Sequence, residues 1–156
     1  MNTVSLNKKE LPLKDLMPII AEHLSGGQSV KISPKGTSML PLLRQGTDCV
    51  LLSPPKRVIK KFDIVLYQRD GSQYVLHRIV KTGDTFVCVG DNQFFLEKGV
   101  RKEQIIALVD EIFRGGRKVD VHAPLYKAYC IIWYYSRPIR RIYRALKRRL
   151  KAFLEK

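Results

Sequence analysis

Two short stretches carry residue types that could do chemistry together. They are Gly36-Thr37-Ser38-Met39-Leu40-Pro41 and Tyr74-Val75-Leu76-His77-Arg78-Ile79-Val80. A serine hydroxyl is a poor nucleophile at neutral pH until a neighbouring base removes its proton. Histidine, with an unperturbed pKa of ~6.5, is well suited to accept that proton and pass it on. Gly36 permits unusual backbone angles, and Pro41 biases the residue before it towards extended geometry, so Ser38 is expected on an exposed turn. His77 lies in an apolar run that reads as a strand, a rigid place to hold a base. Together the two residue types would support nucleophilic catalysis, with Ser38 attacking and His77 as general base.

The elements that must position this pair are short strands separated by turn signals. Apolar residues at Leu13, Leu16, Met17, Ile20, Ala21 and Leu24 predict a helix over 12–24, closed by Gly26-Gly27. Strands are expected over 29–33, 48–53, 63–68, 73–82, 85–89, 105–113 and 118–121. The Asp70-Gly71 and Gly83-Asp84 steps supply the residues that hairpin loops require. Residues 1–11 are polar and expected to be loose. The fold class is therefore mainly β. An antiparallel body over 28–121 is preceded by a tail and helix over 1–27 and followed by a helical segment over 124–156.

The 156 residues suit a single body with a respectable core, and 45% hydrophobic residues argue against gross disorder. Twenty-nine Lys and Arg against 14 Asp and Glu leave a net charge of +15, which predicts attraction to an anionic partner. Much of that charge is at the end of the chain. Residues 125–135 are apolar and aromatic apart from Lys127, too short a run to cross a bilayer. From Ile139 the apolar positions Ile142, Tyr143, Leu146, Leu150, Phe153 and Leu154 form one helical stripe. Nine cations from Arg137 onwards against Glu155 give +8. This pattern over 125–154 fits a helix lying on an anionic membrane surface. Nucleic acid is the weaker candidate partner, and a solvated helix packed on the body is the plainer alternative. The cysteines Cys49, Cys88 and Cys130 are odd in number and lack metal-ligand spacing, which predicts a reducing compartment, no disulfide framework and no metal site. With no signal-peptide-like start and no spanning segment, the expected location is the cytoplasm.

Five segments add a resemblance to these readings. Ser38-Met39-Leu40-Pro41 resembles the nucleophile box of the signal peptidase I family of serine peptidases, and Lys61-Phe62-Asp63-Ile64-Val65 resembles its next box, with Phe62 where glycine is usual. His77-Arg78-Ile79-Val80 resembles the base-bearing box of the endoplasmic-reticulum and archaeal branch. Gly90-Asp91-Asn92 is similar to the box that closes the site, and Ile105–Val109 to the closing strand, with Ala107 where glycine is frequent. The segments keep the family's order over residues 36–109, about half of the chain. The resemblance implies the coiled, strand-rich body shared with the self-cleaving phage and SOS repressors.

What it implies for the site is a dyad of Ser38 as nucleophile and His77 as base. The Ser38 N–H would serve the oxyanion. A hydroxyl two residues before the nucleophile helps in several relatives, but Gly36 stands there. Asp91 is the expected residue to orient His77, with a turn-forming role as the alternative, and Asp63 is a weaker candidate. Arg78, alternating to the other face, is expected to be structural or solvent-facing. No cofactor is implied. The expected partner is a peptide or protein precursor, such as a leader peptide trimmed from the cytoplasmic side of a membrane. Two other readings remain: a binding or regulatory module with the same body and no activity, and, less favoured, a self-cleaving repressor-like protein.

Overall fold

The computed structural model describes residues 3–5, 13–71 and 73–154. The chain divides into two compact units, Met1–Val121 and His122–Lys156.

Among the described residues of the first unit, nine strands join one sheet. They are β1 (Thr3–Ser5), β2 (Ser29–Ile32), β3 (Cys49–Ser53), β4 (Ile64–Gln68), β5 (Tyr74–Lys81), β6 (Phe86–Val89), β7 (Glu97–Val100), β8 (Ile105–Arg114) and β9 (Arg117–Val119). The order is β1-β2-β3-β8-β4-β5-β6-β7, with β9 on β8, and every pairing is antiparallel except β1 with β2. The mainly β, antiparallel expectation is thus met. Helix α1 (Leu13–Ser25) lies between β1 and β2 in the chain and buries Met17, Ile20 and Leu24, the face its spacing predicts. It stops at Gly27, whose φ of 76° suits glycine and whose N–H bonds Leu24 O at 3.0 Å.

The long apolar runs belong to strands covered on both faces. Ile64 to Tyr67 and Leu76 to Val80 are all buried. Val65, Tyr67, Ile79, Phe86, Cys88, Val100, Ile105 and Leu108 fill one core cluster. His77 shares their side of the sheet, because Val65 pairs with His77 and Tyr67 with Val75.

Two strands depart from the reading of the sequence. β7 (Glu-Lys-Gly-Val) has no apolar alternation, and only its pairing with β6 makes it a strand. β1 falls in the stretch expected to be loose, and the rest of residues 1–11 lies outside those described. The second unit holds α2 (Pro124–Tyr135) and α3 (Arg137–Leu154), and no described helix is long and apolar enough to cross a membrane.

Candidate active site

Ser38 sits on the connection from β2 to β3, half-buried, with Gly36 before it at φ 94° and a cis peptide bond before Pro41. The connection is pinned at both ends. Gly36 N–H donates to Gln45 Oε1 at 2.8 Å. At the far end the fully buried Asp48 accepts hydrogen bonds from Arg44, Thr47 and the Gly115 N–H. Burial alone would raise the Asp48 pKa, but these donors outweigh it and hold the carboxyl down to about 2.

The Gly90-Asp91-Asn92 segment closes on the serine from the other side. Asn92 N–H donates to Ser38 O at 2.8 Å, and the Asn92 amide donates to Thr37 O at 3.0 Å. Gly90 is so close that a Cβ on it would lie 2.6 Å from Ser38 O and 3.1 Å from Ser38 Cβ. Arg78 pairs with Val89 and Ile79 with Cys88, and continuing that antiparallel register by one residue sets Gly90 opposite His77. Ser38 is therefore packed against the position across from His77. Among the described residues, neither the Ser38 hydroxyl nor its N–H makes a hydrogen bond, and no hydrogen bond joins Ser38 to His77.

The His77 ring is held from its buried side. Nδ1 lies 3.1 Å from Glu97 Oε1 and 3.2 Å from the Tyr67 hydroxyl. Tyr67 donates to Glu97 Oε2 at 2.7 Å, Arg69 Nε donates to the same oxygen at 2.7 Å, and Arg69 Nη2 bonds Oε1. Burial would raise the Glu97 pKa, but the Arg69 and Tyr67 donors outweigh it and keep it below the usual carboxylate range, so it is ionised at neutral pH. An ionised carboxylate only accepts hydrogen bonds, so the His77 proton belongs on Nδ1, leaving the Nε2 lone pair free. Burial pushes the His77 pKa below 6.5, against the pull of Glu97, and the ring is neutral at pH 7. A neutral imidazole with Nδ1–H anchored and an unprotonated Nε2 is the form that accepts a proton.

Glu97 thus occupies the place expected for Asp91. Asp91 is committed elsewhere: Arg78 Nε and Nη2 hold its two oxygens at 2.8 and 2.7 Å, with both side chains buried. Arg78 Nη1 also reaches Phe62 O at 3.0 Å. Asp91 is a brace for the turn beside Ser38, and Arg78 is structural and buried rather than solvent-facing. The physical reason is alternation along β5, which sends Arg78 and His77 to opposite faces. Glu97 lies on β7, the strand without a periodic signature. Its one sequence signal is being the first acid after Asp91. Asp63 accepts from Arg57 and the Lys60 N–H in the turn before β4, away from this cluster. Two further histidines are accounted for, His23 bonding Gln28 at 2.6 Å and His122 exposed.

Beside Ser38 lies a cavity of about 160 Å³ whose apolar lining includes Leu13, Leu16, Ile32, Met39, Leu43 and Leu76. A cavity of ~150 Å³ with such a lining holds a benzene ring, so this one suits one aliphatic side chain. No group of metal-ligating side chains occurs among the described residues. Compared with known proteins, the chain matches no family model and no curated protein.

Proposed function

We propose that this chain is a serine endopeptidase in which Ser38 is the nucleophile, His77 the general base and Glu97 the residue that positions His77. The observation that carries the reading is the His77 ring, neutral and anchored through Nδ1, at the strand position facing Gly90, against which Ser38 packs. In the reaction His77 Nε2 takes the Ser38 proton as Oγ bonds the scissile carbonyl carbon. The carbonyl oxygen gathers negative charge next to the Ser38 N–H, which has no acceptor of its own among the described residues. His77 then gives its proton to the leaving amine, and water, activated the same way, releases the acyl group. The apolar cavity takes an aliphatic side chain of an extended peptide. The likeness of the five segments to signal peptidases adds weight, and a peptide or protein precursor is the substrate class it favours.

A second reading, a peptide-binding module without activity, is favoured by the missing Ser38–His77 hydrogen bond. One experiment separates them. Purified wild type, Ser38→Ala and His77→Ala are incubated with a diverse peptide mixture, and new termini are read by mass spectrometry. Termini that require Ser38 and His77 establish the peptidase. Peptides retained equally by wild type and Ser38→Ala, with no new termini, establish the binding module.

A further inference from the structure

The second unit carries chemistry that the serine site does not use. Across 122–154 there are nine Lys and Arg and no Asp or Glu. On α3, Ile139, Ile142, Tyr143, Leu146, Leu150 and Phe153 are 58–77% exposed, and Leu154 is 74% exposed. At 3.6 residues per turn these side chains fall within roughly a third of the helix circumference. Lys147 and Arg149 flank that sector on its two sides, and the other cations fill the opposite face.

The stripe does not begin at α3. Ser136, between the helices, keeps a right-handed helical conformation (φ −74°, ψ −5°), and its N–H bonds Ile132 O at 2.9 Å. The exposed residues Ile132 (67%) and Tyr135 (62%) therefore extend the spacing of Ile139 and Ile142 backwards through the junction. Arg140 locks that junction, with its guanidinium 3.8 Å over the Trp133 ring and Nη2 donating to Trp133 O at 2.6 Å. The result is one apolar strip, about six turns long, bordered by cations.

We infer that this strip is a docking surface for an anionic lipid bilayer, its apolar side chains entering the acyl boundary and its cations meeting phosphate headgroups. Charge complementarity selects the occupant. A second copy of this chain would bring like charge against like, while an exposed strip of large aliphatic residues has no counterpart on a nucleic acid backbone. The helix is too polar to span, so it lies in the interface plane.

The test uses the full chain and sedimentation with vesicles of phosphatidylcholine alone or of equal parts phosphatidylcholine and phosphatidylglycerol. Wild type is expected to bind the anionic vesicles at least about tenfold more tightly, with affinity falling as salt is raised. Leu146→Gln combined with Leu150→Gln keeps helix propensity and should lose about tenfold in binding with unchanged helical circular dichroism. A Phe153→Trp variant should show a blue-shifted emission on vesicles beyond any change from Trp133, the sole native tryptophan. The inference is overturned if the double variant binds as well as wild type, or if both vesicle types bind equally. It is also overturned if vesicles fail while duplex DNA or self-association engages the helix. Ser38→Ala should bind vesicles like wild type, so a failed peptidase assay leaves this result standing.

Discussion

The Glu97 carboxylate lies 3.1 Å from His77 Nδ1, yet His77 does not form an ion pair with it at neutral pH. Burial of the ring outweighs the attraction of the carboxylate and holds the His77 pKa below 6.5. Arg69, bonded to both Glu97 oxygens, shares the carboxylate's charge and adds to that effect. The contact is thus a hydrogen bond that sets the tautomer, a geometry suited to a base.

Cleavage should fall as the pH drops through the depressed His77 pKa and be level above it, because only neutral His77 accepts the serine proton. Glu97 raises that pKa, so Glu97→Gln should move the acid limb to lower pH. The same change should lower kcat/KM by about a hundredfold, since the ring loses its fixed tautomer. An unshifted profile in a pH–rate series would mean that Glu97 does not act through His77.

Asp91→Asn should damage stability before chemistry. It leaves Arg78 buried without its bidentate partner, a loss of about 3 kcal/mol in a urea titration. Glu97→Gln should cost less, because Arg69 is partly exposed and water can satisfy it. Equal losses from the two variants would contradict the division of labour between these acids.

Gly90→Ala should reduce cleavage at least about tenfold while the chain stays folded. Its methyl would press on Ser38 O at 2.6 Å, and backbone on both sides has to give. Such misplacement of a nucleophile is costly even when small. Wild-type kcat/KM in Gly90→Ala would show that the contact does not position Ser38.

Phe62 is the only non-glycine residue with positive φ among the described residues, at 76°. Glycine adopts this left-handed conformation without the strain that a side chain brings. A side chain there costs about 1–2 kcal/mol relative to glycine, most for β-branched residues. Phe62→Gly should therefore be more stable than Phe62→Val in thermal denaturation, reversing the usual order of the two in a β body. Both lose the same ring, so the difference reports the backbone.

Local pattern in the sequence was enough for the strands with apolar runs, α1, the amphipathic C-terminal stripe, and the placing of Ser38 on a connection and His77 on a strand. These are properties of periodicity and residue chemistry, which hold wherever the segment is placed. What faces His77 was decided only by the fold. Asp91 was the acid that linear order favoured, but strand alternation turns Arg78 towards it and His77 away. Glu97 reaches the imidazole because β7 pairs with β6, and a Glu-Lys-Gly-Val segment has no periodicity to announce that pairing. The tautomer of His77 and the direction of its pKa shift were equally out of reach, because they rest on a balance of burial against charge that exists only once Tyr67, Arg69 and Glu97 are packed around the ring.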